Sequence, residues 1–252
     1  FYNNLWNSEA HHSSFSHHDK DEALQKINAS IDRAAAALQN ADVIIITWGS
    51  AWIYTREKRV LANCHKLPAA ELNKRILCFD EVCSAIHSVG ARYPEKTLIH
   101  TVSPVRHIKD GFCENARSKA LLLAALHEVI GELPNNRYFP SYEIMIDSLR
   151  DYRFYAEDML HPSEQAIRYI RDFFFETYLS PETLALTLEI GRLLRDLRHR
   201  PFRPDSAGAK QFLFSLKERL LKYNCPGTGF AEEFAAIDKL TGDSGHDESC
   251  RN

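Results

Sequence analysis

The chain contains no uninterrupted apolar run of membrane-spanning length, which argues against a transmembrane helix. Its six cysteines, Cys64, Cys78, Cys83, Cys113, Cys225 and Cys250, include no Cys-x-x-Cys pair and are too sparse for a disulfide scaffold, so reduced thiols are expected. There is no basic excess: 31 Lys and Arg against 34 Asp and Glu give a net charge of −3, which offers nothing to a nucleic-acid backbone. The local basic cluster between Arg192 and Arg203 is offset by acids elsewhere. No export signal opens the chain, so a cytoplasmic protein is expected, and the glycosylation-type triplet Asn28-Ala-Ser30 carries little weight. The first residue is Phe1 rather than methionine, which leaves processing and a missing front as the two explanations.

What is present suffices for a large core. Over 252 residues, 44% hydrophobic and 11% aromatic content allows one α/β domain, or one domain with a helical appendage. Ala23, Ile27, Ile31, Ala34 and Leu38 recur at helical spacing between Asp19 and Asn40. Asp42-Val-Ile-Ile-Ile-Thr47 then reads as a strand buried on both faces. Residues 53 to 75 read as a long irregular connection, 79 to 93 as a helix, and 97 to 102 as a second buried strand. A helix over 113 to 133, a short strand near 137 to 139 and a turn-rich segment to 150 follow. A last helix carries the stripe Ala166, Ile167, Ile170, Phe173 and Phe174. This alternation predicts a parallel sheet covered on both sides, with ligands outside the carboxyl ends of its strands. The expected division is 1–179 for this domain and 180–252 for an appendage with helices at 184–199 and 210–223, a hinge at 201–204 and a flexible end.

Three Asp-x-x-His spacings occur, and context separates them. Asp196/His199 lies in an arginine-rich helical pattern, and Asp243/His246 in a polar tail. Asp158/His161 alone sits on a loop, ahead of Pro162 and an amphipathic helix. Proline disfavours helical geometry at His161 while its own fixed φ suits the first helical position. A carboxylate that fixes an imidazole tautomer is what a general base for a hydroxyl nucleophile needs. A helix-start acid beside a surface histidine is the competing reading. The run His11-His12-Ser-Ser-Phe15-Ser-His17-His18 offers four imidazoles but no matching carboxylate or cysteine set, and a loop held by its aromatics is the plainer account.

Several ordered blocks carry a family resemblance: Thr47-Trp-Gly-Ser-Ala-Trp52, Ala62-Asn-Cys-His-Lys66, Thr101-Val-Ser-Pro-Val-Arg-His107, Tyr138-Phe-Pro-Ser-Tyr-Glu143, Asp151-Tyr-Arg-Phe-Tyr155 and Asp158-Met-Leu-His-Pro-Ser163. Together with His11-His-Ser-Ser-Phe15 they resemble the GSCFA family, which looks like a branch of the SGNH (GDSL-like) hydrolases, over about residues 5 to 178. The resemblance implies a three-layer α/β/α fold with a parallel sheet, C-terminal helices beyond it, and cleavage or transfer of a small-molecule or carbohydrate acyl ester by a serine nucleophile. Asp158 and His161 would be its catalytic pair, and no metal or organic cofactor would be required. It places the serine after a first strand that would lie upstream of Phe1, so the chain reads as a fragment that is inactive alone, with residues 42 to 47 as an exposed apolar edge.

A second departure touches the oxyanion site. The resemblance calls for Gly-x-Asn, and Gly49-Ser-Ala51 has alanine instead. Gly49 through its backbone amide, Asn63, Arg106 and His107 are the candidate oxyanion or substrate-binding groups, against plain turn and loop roles for each. Ser50 and Ser103 also follow strands, but neither lies in a Gly-x-Ser-x-Gly elbow. A non-catalytic carbohydrate- or ligand-binding module, with Trp48 and Trp52 as sugar-stacking surfaces, is the alternative expectation.

Overall fold

The computed structural model describes residues 1–198, 206–224 and 229–241. Asp19 opens the first helix as its sequence position suggests. Its carboxylate accepts from the amides of Asp21 and Glu22 at 2.8 and 3.0 Å, satisfying two donors that a helix start leaves free. The elements then run α1 (Lys20–Asn40), β1 (Val43–Trp48), β2 (Trp52–Arg56), β3 (Arg59–Leu61), β4 (Asn73–Ile76), α2 (Phe79–Arg92), β5 (Thr97–Val102), α3 (Phe112–Ile130) and β6 (Asn136–Tyr138). After β6 a single turn, α4 (Ser141–Glu143), continues as a wide π-type turn over Ile144–Leu149. The remaining helices are α5 (Glu164–Tyr178), α6 (Pro181–Arg198), α7 (Ala207–Leu221) and α8 (Ala231–Thr241). The chain divides into two compact units, Phe1–Arg171 and Asp172–Asn252.

In the first unit the expected α/β/α class is observed, with a parallel sheet in the order β1-β5-β6. Val43 pairs with Thr97 and Trp48 with Val102, so β1 and β5 end side by side. On one face α2 and α3 close the core, where Val82, Ile86, Leu122, Ala125, Leu126 and Val129 pack with Val102 and Ala51. A polar strap crosses all three strands within this apolar setting. The indole of Trp48 donates to His100 Nδ1 at 3.1 Å, and His100 Nε2 donates to Asn136 Oδ1 at 2.6 Å. An indole can only donate, so Nδ1 is bare and Nε2 carries the proton. His100 is wholly buried, and each of its ring nitrogens is satisfied only in this register.

Several expectations are corrected. The supposed irregular stretch 53–75 contains most of a second, antiparallel sheet, in the order β3-β2-β4. Its tight turn uses Glu57 and Lys58 with φ of 49° and 68°, left-handed positions without the Gly or Asn that normally announces them. Strand β1 is not buried on both faces: Val43 and Ile45 are 50% and 55% exposed. Thr97 N donates to Asp42 O and Ser103 N to Trp48 O, so the backbone groups of Val43, Ile45 and Thr47 face away from β5. Among the described residues no strand pairs with them, and β1 is the apolar edge expected of residues 42 to 47. Helix α1 is equally bare, with Ala23 its one buried residue and Ile31 exposed. In α5, of the expected stripe, Ala166 is buried whereas Ile167 and Phe173 are exposed.

In the second unit α6, α7 and α8 enclose Leu193, Leu213, Leu216, Leu220, Phe230 and Ile237. Helix α8 corrects the reading of the whole tail as flexible; Ile237 is its buried anchor. The expected hinge at 201–204, His199, the Asp243/His246 pair, Cys225 and Cys250 lie outside the described residues. Cys64, Cys78, Cys83 and Cys113 are free thiols. Among the described residues no helix is long and apolar enough to cross a membrane.

Two outcomes follow from this architecture. Burial lowers the His100 pKa, opposed by the bond to Asn136, so the unfolded chain takes up that proton first. The stability contributed by the neutral ring is complete above about pH 6.5 and is lost as pH falls below it toward the folded value. Thermal melts between about pH 7 and 5.5 should therefore fall more steeply for the wild type than for His100→Gln; equal slopes would contradict the strap. Separately, Ile45→Lys on the open edge should reduce concentration-dependent association seen by sedimentation, with an unchanged circular dichroism spectrum. Unaltered association would show that this edge is not the sticky surface.

Candidate active site

The loop carrying Asp158 and His161 is closed on itself. Tyr155 bridges Pro162, Ala156 N donates to His161 O at 2.8 Å, and Ser163 N donates to Phe154 O at 2.7 Å. Met159 adopts the left-handed region at φ 60°, a conformation that costs a side-chain-bearing residue energy and that the surrounding bonds must hold. That kink folds the chain back over Asp158. Its Oδ1 accepts from the amides of Leu160 and His161 at 2.9 and 3.0 Å, and its Oδ2 faces His161 Nδ1 at 2.6 Å. The His161 amide first, then its ring and the Leu160 amide, hold the Asp158 carboxyl at about 2, so the group is ionised at neutral pH. A carboxylate can only accept, which puts the imidazole proton on Nδ1 and leaves Nε2 to accept one. The competing helix-start role is taken by another residue: Ser163 Oγ accepts from Ala166 N at 3.4 Å at the start of α5. His161 and Asp158 remain 60% and 45% exposed, so Nε2 is within reach of an incoming group.

This loop is tied to the carboxyl ends of the parallel strands. Beyond β5, Arg106 N donates to Leu160 O at 3.1 Å and its guanidinium to Met159 O at 3.3 Å. That guanidinium lies 3.8 Å from the centre of the Tyr155 ring and 5.8 Å from that of Tyr152. Beyond β1, a Cβ on Gly49 would sit 3.6 Å from His107 Nε2, so the imidazole lies against the Gly49 backbone. The His107 amide is held by Asn115 Oδ1 at 2.8 Å. The part of the His107 ring withdrawn from water, then the charges of Lys119 and His161, hold it below the ordinary imidazole pKa. Gly49, Arg106 and His107 thus gather with Asp158 and His161.

Asn63 is engaged elsewhere. Its Oδ1 accepts from His65 N at 2.8 Å, its backbone N donates to Glu9 O at 3.1 Å, and His65 Nε2 meets Ser8 O at 2.6 Å. These bonds brace the N-terminal segment, the loop role weighed against catalysis above. Ser50 and Ser103 behave as turn residues: Ser50 Oγ accepts from Trp52 N at 3.0 Å and Ser103 Oγ from Val105 N at 3.2 Å. The N-terminal histidines are likewise occupied locally, His11 with Ser8, His12 with Ser14, His17 with Glu22 and His18 with Asn4 O. Phe1 against Trp6, with ring centres 5.2 Å apart, and His11 against Phe15 pack this segment.

One residue of the site escapes a reading of loops. Lys119 of α3 is 1% exposed, and its ammonium donates to Gly49 O at 2.8 Å and Ser103 O at 2.6 Å. No carboxylate pairs with it among the described residues, and burial lowers its pKa to about 8. The preceding Ser118 accepts from the buried Ala51 amide at 2.8 Å. Two consecutive helical residues therefore fix the exit loops of β1 and β5. The signal was in the spacing: positions 119, 122, 126 and 129 form one helical stripe, and three of them are core Leu122, Leu126 and Val129. A lysine on such a stripe is either badly placed or held by acceptors.

The fold and this constellation define an α/β protein with a carboxylate-braced histidine at the mouth of its parallel sheet. The chain matches the GSCFA family over residues 1–174, and it belongs to that family. Searches of curated proteins and of solved structures find no match to it.

The buried ammonium makes a checkable claim. Because the folded pKa of Lys119 lies below the ordinary lysine value near 10.4, the unfolded chain binds the extra proton between those limits. Stability should rise as pH climbs from about 8 to 10, and Lys119→Met should flatten that rise. Direct observation of the Lys119 Nζ resonance should give a midpoint near 8; one above 10 would contradict the burial.

Proposed function

We propose that this chain carries the acid–base half of a serine-type ester hydrolase or acyltransferase. The observation that carries the reading is the bond between Asp158 and His161 Nδ1, which leaves Nε2 open beside the ends of β1 and β5. In the proposed reaction Nε2 takes the proton of a hydroxyl as its oxygen attacks an ester carbonyl. Asp158 stabilises the imidazolium that forms, without itself taking the proton. The tetrahedral adduct collapses as His161 returns the proton to the departing alkoxide, leaving an acyl-enzyme. Water or an acceptor alcohol then repeats the cycle, giving up a proton to His161 and releasing the acyl group.

The reading assigns the hydroxyl to a strand that pairs with the open edge of β1. The unpaired backbone of Val43, Ile45 and Thr47 and the exposed side chains of Val43 and Ile45 support such an addition. The Gly49 amide, next in the same alternation, faces that edge and is assigned as an oxyanion donor, with His107 beside it. Asn63, engaged with His65, is not given a role. No metal or cofactor enters this chemistry. The carbohydrate-module reading relies on free indole faces. The Trp48 indole is tied by its edge to His100 at 3.1 Å, and a face of the Trp52 ring is taken by the Lys74 ammonium at 5.1 Å, which favours the hydrolase reading.

The test is covalent labelling by a fluorophosphonate probe of the protein expressed from its complete reading frame. Labelling is expected, with loss in His161→Ala and a reduction of about 10³- to 10⁴-fold in Asp158→Asn. A folded protein that never labels would overturn the hydrolase reading. The chain of 252 residues alone is expected to remain unlabelled. Aryl-acetate turnover by it that vanishes in Ser50→Ala or Ser103→Ala would refute the assignment of the nucleophile to an added strand.

A further inference from the structure

Like the enclosed Lys119, the half-buried residue Arg106 has no acid partner among the described residues, but its guanidinium reaches the surface of the site. Among the described residues no carboxylate ion-pairs with it, and four acids around it are engaged elsewhere. Asp158 holds His161 and two amides, and both oxygens of Glu143 accept from Tyr138 at 2.9 Å. Asp147 pairs with Arg150, and Asp151 lies beside Arg153. Other arginines of the same unit contrast with it: Arg56 is shared by Glu9 and Glu71, and Arg75 is forked onto Glu81. Arg106 is nonetheless held firmly. Tyr155 stacks under it, Met159 O accepts one of its N–H groups, and its own amide is bonded to Leu160. Stacking occupies the face of a guanidinium and leaves its edge, a fork of parallel donors, to reach outward. The fork is rigid because the loop that positions His161 also positions Arg106.

A pre-aimed guanidinium without a carboxylate is matched by a planar or tetrahedral oxyanion from outside. The ammonium of Lys119, whose charge reaches the adjacent His107, adds positive potential on this side of the site and no countercharge. We propose that Arg106 is a specificity-determining residue that binds an anionic group, a carboxylate or a phosphate, borne by the substrate near its ester. The placement of that group beside an ester rests on the hydrolase reading; the anion site itself does not. An anionic group seated on Arg106 would present the rest of the substrate to His161 from a fixed point, since residues 159 and 160 join the two.

The experiment follows the backbone amide resonances of residues 106 and 160, which lie at this site, during separate titrations of the chain with acetate and with inorganic phosphate. A saturable shift is expected with one or both anions, and the tighter one identifies which oxyanion the fork prefers. The shift should vanish in Arg106→Gln, and Arg106→Lys, which keeps the charge and loses the fork, should bind about tenfold more weakly. A shift that stays linear, or binding that survives Arg106→Gln unchanged, would overturn the proposal. If either variant fails to give the wild-type amide spectrum, Tyr155→Leu, which removes the stacking platform, should weaken the same saturable shift; undiminished binding there would overturn the proposal too. Absence of fluorophosphonate labelling in the wild-type protein with anion binding preserved would fail only the hydrolase reading.

Discussion

Three hydrogen bonds to one carboxylate set the character of this molecule's site. Asp158 receives two amides of its own loop and the ring of His161, and each bond requires the others' geometry. The amides demand the left-handed turn at Met159, and that turn brings the imidazole back to the carboxylate from only three residues away. An acid so placed cannot be exchanged for a neutral group of the same shape without altering which nitrogen carries the proton. The loop is thus a device for presenting one bare nitrogen to solvent.

The rest of the first unit holds that device against the sheet. Parallel pairing of β1 with β5 makes both strands end at the same level, and the Trp48–His100–Asn136 strap locks the register that does so. Lys119 then ties the two exit loops to α3 through the carbonyls of Gly49 and Ser103. An unpaired ammonium inside a core is a costly way to satisfy two carbonyls, because its desolvation opposes folding. Its placement under the strand ends, rather than deeper in the α2–α3 contact, fits a part that shapes the site. The cost is carried where β1, β5 and α3 meet.

Much of this was legible in the order of residues. The four β-branched and aliphatic residues after Asp42 and the run Thr97 to Val102 announced the parallel strands, and Pro162 separated one Asp-x-x-His spacing from two others. The hairpin of β2 and β3 was hidden because Glu57 and Lys58 take a turn that glycine and asparagine usually mark. The exposure of β1, α1 and part of α5 could not be read from periodicity, which reports the face an element offers and not whether a neighbour covers it. Asn63 looked like a donor because its block matched the family, yet its side chain closes an Asx turn onto His65, a local bond that composition does not reveal. Lys119 was readable in principle, as a charge on an apolar stripe.

The tautomer of His161 is the quantity on which the account stands most directly. With the ring neutral, a long-range proton–nitrogen correlation spectrum should show the proton on Nδ1, its signal shifted downfield by Asp158, and an unprotonated Nε2. In Asp158→Ala that preference should disappear while the fold persists. A wild-type ring protonated on Nε2, with Nδ1 bare, would mean that the carboxylate does not brace the imidazole and that no base is poised at the mouth of the sheet.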